Sequence, residues 1–71
     1  MMVYVSYKAN TYTGSHPIPL VLSYAVTLHV GRERKAIDQF TAMPETKCRE
    51  VMAEAKARAK RLGYKYVKWE E

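Results

Sequence analysis

Hydrophobic and polar positions alternate along residues 2–8, with Val3, Val5 and Tyr7 on one side and Tyr4, Ser6 and Lys8 on the other. The stretch is rich in β-branched and aromatic residues and predicts a first strand. The alternation returns over residues 20–30, where Leu20, Leu22, Tyr24, Val26, Leu28 and Val30 oppose Val21, Ser23, Ala25, Thr27 and His29. One face of this second strand is apolar and the other is mostly small or polar. Between the two, residues 9–19 gather Asn, Thr, Gly, Ser and two prolines, which favour turns or block sheet hydrogen bonds, so a long flexible loop is expected there.

"GRERK", residues 31–35, reads as a charged hairpin turn, and residues 36–42 return as a third strand. Ile37 and Phe40 differ in parity, so one of them faces out unless a bulge resets the register. Pro44 suits a first helical turn, Glu45 complements the positive end of the helix dipole, and a helix is expected to begin there. Cys48, Val51, Met52, Ala55, Ala59 and Leu62 recur at spacings of three and four, forming one narrow apolar stripe. Lys60 and Arg61 fall in the last turn and Gly63 supplies a left-handed stop. Residues 64–69, "YKYVKW", complete the pattern as a strand with Val67 and Trp69 facing the helix and Tyr64, Tyr66 and Lys68 facing away.

The fold class is therefore α+β: a small antiparallel sheet with one helix packed on one face, in the order β-β-β-α-β, within a single domain spanning residues 1–71. A helix with a single apolar stripe covers one sheet face and leaves the other open. Seventy-one residues bury only about 60% of the unfolded chain's surface, which leaves little room for an enclosed catalytic cleft.

Twelve Lys and Arg against seven Asp and Glu leave a net charge of +5, a balance that favours acidic partners. The lone Cys48 cannot form an intramolecular disulfide, and its place in the helical stripe predicts a small buried hydrophobe. The first residues lack the features of a signal peptide, and no apolar run reaches the roughly 20 residues needed to span a bilayer. A cytoplasmic protein without a membrane partner is the expectation.

Candidate chemistry is sparse. His16 and His29 stand thirteen residues apart with no Cys or carboxylate at ligand spacing, so no metal site is expected. "GRERK" holds one glycine and does not match a phosphate-binding loop. Glu54 precedes Arg58 by four residues and Glu45 precedes Arg49 by four, which is the favourable orientation for helix ion pairs and reads as surface charge. No catalytic residues and no cofactor follow from the sequence, and a non-enzymatic protein is expected.

"SYAVTLHVGRERKAIDQF" followed by "CREVMAEAKARAK" resembles the second strand, hairpin, third strand and first helix of the N-terminal half of a ribonuclease H-like domain. The resemblance spans most of this chain and half of that family's domain. It implies that Glu50, in "REVMA", matches a helix glutamate that helps to hold catalytic magnesium. The family's first-strand aspartate before Gly-Ser is missing, since "VYVSYK" offers Val5 and Ser6 there, and "KWEE" carries no aspartate in the fourth strand. Without the first carboxylate, two-metal phosphodiester cleavage lacks a principal ligand. The resemblance thus implies topology and proximity to nucleic acid, not hydrolysis.

Binding is the remaining chemistry. Residues 56–69, "KARAKRLGYKYVKW", hold six Lys or Arg and no acid, with Tyr64, Tyr66 and Trp69 among them. Exposed aromatics among cations can stack bases or anchor a protein. Tyr4, Lys8, Tyr64, Lys65, Tyr66 and Lys68 are the expected docking set for a larger protein or nucleoprotein complex. Lys56, Lys60, Arg61, Lys65 and Lys68 are the expected set for direct contact with nucleic acid. A protein-binding module comes first, as an inhibitor or adaptor of nucleic-acid machinery of the kind that phages direct against host defence, anti-CRISPR proteins among them; this is an analogy of type without a shared motif. Direct DNA or RNA binding through a basic, Tyr-rich sheet face is the alternative. The sequence leaves open a homodimer closed through the open face or an uncapped edge strand.

Overall fold

A computed structural model describes residues 1–12, 14 and 20–70. Its elements are β1 (Met2–Tyr12), β2 (Leu20–Val30), β3 (Lys35–Ala42), α1 (Cys48–Arg61) and β4 (Tyr66–Trp69). They form one four-stranded sheet in the order β3-β2-β1-β4, with the helix on one face. This is the α+β architecture and element order expected from the sequence. The sheet is mixed rather than antiparallel: β1–β2 and β2–β3 are antiparallel, but β4 lies parallel to β1. The cause is the helix. A hairpin returns the chain antiparallel, whereas a helical crossover from one edge of the sheet to the other delivers the next strand parallel. No helix among the described residues is long and apolar enough to cross a membrane.

The core lies between the sheet and the helix. Val3, Val5, Val26 and Leu28 are at most 1% exposed, and they meet Val51, Ala55 and Ala59 of the helix. Alanine at two successive turns lets the helix backbone come close to the valine-rich sheet. The alternation read from β1 and β2 holds: Val3 pairs with Val30 and Val5 with Leu28 across the ladder. In β4, Val67 and Trp69 pack against the same core, next to Val3 and Val5. The parity conflict in β3 is resolved by an irregularity between Leu28 and His29, where Leu28 pairs with Asp38 and His29 with Ala36. The extra residue, Ile37, shifts the register so that Ile37 and Phe40 both pack against the core.

Three local expectations are corrected. Residues 9–12, expected within the loop, continue β1, since Thr11 and Tyr12 have high strand propensity and pair with Val21 and Leu20. The rest of that stretch, Gly14 apart, lies outside the described residues. The helix starts at Cys48 rather than Pro44: a turn closed by the Thr46 N–H on the Met43 carbonyl (3.0 Å) occupies that stretch. Lys47 is the N-cap, and its N–H donates to the Glu50 Oε2 at 3.2 Å, one half of a capping box. Cys48 is exposed rather than buried, and the buried part of the helical stripe begins one turn later, at Val51.

The C-terminal end follows the sequence closely. Gly63 sits at φ 93°. Its N–H donates to the Lys60 carbonyl (3.0 Å), and the Tyr64 N–H donates to the Ala59 carbonyl (2.9 Å), which together make a Schellman motif. That motif brings the residue after the glycine back onto the last turn of the helix. Tyr64 accordingly packs against the core and does not join Tyr66 on the open face, which corrects its expected placement.

Candidate functional site

On the face opposite the helix, Tyr4 is the centre of a polar cluster. The Arg34 guanidinium lies 5.1 Å and the Lys68 Nζ 5.5 Å from its ring centroid, both cation–π distances. Arg34 holds a left-handed backbone conformation, φ 55°, at the end of the β2–β3 turn. From there its side chain reaches across the sheet to form an ion pair with Glu70. His29 accepts or donates at two points: its Nε2 is 2.7 Å from the Ser6 hydroxyl and its Nδ1 3.2 Å from the Arg34 carbonyl. A carbonyl only accepts, so the second contact places a proton on Nδ1, and in the neutral ring the Ser6 hydroxyl donates to Nε2. The face is thus a closed network of polar partners around one tyrosine.

The expected docking set divides over this geometry. Tyr4 and Lys68 are register partners and Tyr66 lies beside Met2, so these three share the open face. Lys8 lies four residues farther along the same face of β1 and pairs with Ala25. Lys65 is exposed before β4 begins, and Tyr64 is packed inward. The cationic set divides further. Lys56, Lys60 and Arg61 are exposed on the helix layer, whereas Lys68 lies on the other side of the sheet. No single face collects that set.

Arg58, on the flank of the helix, has a structural task. It donates to Glu54 (2.8 Å) and Asp38 (3.2 Å), and its guanidinium covers the Phe40 ring at 4.7 Å. The Gln39 N–H, 2.8 Å from the Asp38 Oδ1, together with the Arg58 guanidinium holds the Asp38 carboxyl below its ordinary range. Glu50, the residue that the ribonuclease H-like resemblance would give to magnesium, accepts the Lys47 N–H at the start of its own helix. Among the described residues, no group of three or more His, Cys, Asp or Glu is arranged to hold a metal ion.

A second feature lies on the helix side and was not singled out from the sequence. The 14-residue helix is about 21 Å long, while the 11-residue strands β1 and β2 reach about 36 Å. The strands therefore run on past the helix as a two-stranded ribbon whose apolar side chains are uncovered. Tyr7 is 63% exposed although it shares the parity of the buried Val3 and Val5, and Leu22, the extra residue of the irregularity opposite Asn10 and Thr11, is 55% exposed. Tyr7 is wedged edge-on between two aromatics, with centroids 5.7 Å from Tyr24 and 6.1 Å from Trp69, at interplanar angles of 81° and 82°. Between this trio and the start of the helix opens a cleft of about 220 Å³, bordered also by Met43, Pro44 and Val51. A signal for it existed: the six apolar residues that alternate along β2 span eleven residues, about 36 Å of strand, which is longer than the roughly 21 Å of helix that could cover them. Set against known protein families, curated proteins and solved structures, the chain matches none.

Proposed function

We propose that the chain is a small non-enzymatic protein-binding module, an adaptor or inhibitor, that docks a larger protein through the aromatic cleft at the start of the helix. The observation that carries this reading is Tyr7, a large side chain held edge-on by Tyr24 and Trp69 with more than half of its surface in solvent. Rigid, half-supported aromatics beside an open apolar cleft are what protein interfaces use as anchors. The +5 net charge favours a partner that places an apolar side chain in the cleft and acidic groups around it. A target within nucleic-acid machinery is the narrower form of this reading. Its support is the charge together with the ribonuclease H-like order of elements, and phage anti-defence proteins remain an analogy of type.

The test is capture of partners from a lysate with immobilised protein. Tyr7→Ala should lose the captured protein, with at least about a 30-fold loss of affinity if Tyr7 is an anchor, while Tyr66→Ala on the opposite face should retain it. Equal capture by folded Tyr7→Ala and wild type would remove the cleft from consideration.

Direct nucleic-acid binding is the second reading, favoured by one feature: Tyr66 is 63% exposed between Lys65 and Lys68. Affinity for short single strands would then fall steeply with added salt and with Tyr66→Ala. Tyr4 supports it less, since its ring already carries two cations.

A further inference from the structure

The two flanks of the helix differ in how their charge is used. On the flank toward β3, Arg58 is held by Glu54 and Asp38, and Arg61 lies 3.9 Å from the same Glu54. Arg49, Lys56 and Lys60 occupy the flank turned away from Arg58. Residues seven and eleven positions apart return to nearly the same side of a helix, so these three cations form one row, about 16 Å long at 1.5 Å per residue. All three are exposed, and among the described residues no carboxylate pairs with any of them. The nearby acids are engaged elsewhere: Glu50 accepts the Lys47 N–H, Asp38 and Glu54 hold Arg58, and Glu70 holds Arg34. Glu45, four residues before Arg49, belongs to the turn that precedes the helix, so the ion pair that its spacing suggested does not form. Arg49 stands in the first helical turn, where the macrodipole disfavours a positive charge; helix stability does not explain its place there. The exposed neighbours of the row on its outer side are Ala53 and Ala57.

We propose that this row binds the phosphate backbone of double-stranded DNA without reading its sequence. The surface is separate from the aromatic cleft, with which it shares no residue, and from the open face that bears Tyr66. Charge complementarity carries the assignment. A protein partner needs an apolar or aromatic centre to its interface, where lysine is depleted, and this row has alanine methyls beside it. A lipid surface needs an exposed apolar helix face, whereas the apolar stripe of α1 is buried against the sheet. A polyanion needs neither, because each Lys or Arg that neutralises a phosphate releases a condensed counterion. A row of about 16 Å covers roughly five base-pair steps at about 3.4 Å each, and the small Ala53 and Ala57 let the backbone come close. Single strands are bound by stacking on aromatics, which this flank lacks. Duplex RNA is recognised largely through shape and its 2′-hydroxyls, and no Ser, Thr, Asn or Gln occurs between Cys48 and Arg61 to accept from them. The same absence removes the amides that pair with adenine edges. Two of the three cations are lysines, which meet phosphate as flexible point charges without directional readout.

The row stands or falls separately from the cleft's role as a docking site, because its test reads salt dependence and not capture. Fluorescence anisotropy of a short labelled DNA duplex, titrated with the whole protein across roughly 50–200 mM salt, should give log K falling against log salt concentration with a slope of about −2.7, or about −0.9 for each of three phosphates. That slope is about a 40-fold loss of affinity over the range. Arg49→Ala, Lys56→Ala and Lys60→Ala should each flatten it by about 0.9. Alanine is the best helix former, so the three variants should keep the wild-type circular dichroism, and any one that folds carries the test. Lys68→Ala, on the far face of the sheet, and Tyr7→Ala, in the cleft, should leave the slope as it is. A wild-type protein that binds no duplex at the lowest salt, or a folded Lys56→Ala with the wild-type slope, would overturn the row. So would tighter binding of a duplex RNA of the same length, or of polyglutamate, than of the DNA.

Discussion

At the scale of single residues, polar groups of this chain act mainly to fasten one layer to another. Arg58 joins the helix to β3 through Asp38 and covers Phe40 with the same guanidinium, and Arg34 joins the β2–β3 turn to the residue after β4. The Asp38 carboxyl, held low by the Gln39 N–H first and by Arg58 second, has a consequence for pH dependence. A group whose folded pKa lies below its unfolded value, 3.8 here, stabilises the fold above that value. The contribution disappears as pH falls through the lower, folded value. Asp38→Asn should therefore lower the urea midpoint at pH 7 and flatten its fall on acidification, whereas Asp38→Asn and wild type should converge at the acid end. Arg58→Ala should remove part of the same pH dependence but retain the share that comes from the Gln39 N–H. Identical acid limbs for wild type and Asp38→Asn would show that Asp38 is not held as the geometry requires.

At the scale of elements, the caps of the helix decide where its neighbours go. Gly63 has φ 93° and open space where a Cβ would stand, so substitution there acts through the backbone and not through a clash. Gly63→Ala should cost about 1–2 kcal/mol, and Gly63→Asn less, because asparagine tolerates the left-handed region; thermal melts of the two variants read the difference. Equal melting of both would mean that the Schellman turn does not set the helix end. This stop was legible in "KRLGY", as were the strand alternation about Val3, Val5, Val26 and Leu28 and the inward side of β4. The inward turn of Tyr64 was implied by the same glycine, since the residue after a Schellman glycine packs back on the helix, but strand parity assigned it to the other face. The late start at Cys48 was not legible, because Pro44 fits a turn as well as it fits a first helical position. The bulge at Ile37 was visible only as a conflict of parity. β4's parallel pairing follows from the crossover, which leaves no mark on local composition.

At the scale of the whole molecule, a helix shorter than the strands beneath it divides the sheet into a covered half and an uncovered half. Stability should be divided in the same way. Leu28 is fully buried beneath the helix and is the largest of the side chains that are, whereas Leu22, six residues along the same strand, is 55% exposed on the ribbon. The two residues are chemically identical but differ in burial and in pairing, since Leu22 is the extra residue of the irregularity in β2 opposite Asn10 and Thr11. A core in a chain of this size supplies only about 3–5 kcal/mol of net stability. Leu28→Ala, at about 2–5 kcal/mol, should therefore leave little or no folded protein in the absence of denaturant. Leu22→Ala should change stability by less than about 0.5 kcal/mol, as exposed substitutions do. Urea unfolding followed by circular dichroism measures both. Comparable losses at the two positions would mean that the ribbon is packed as tightly as the core, and that the aromatic cleft beside it is a covered part of the fold and not a surface available to a partner.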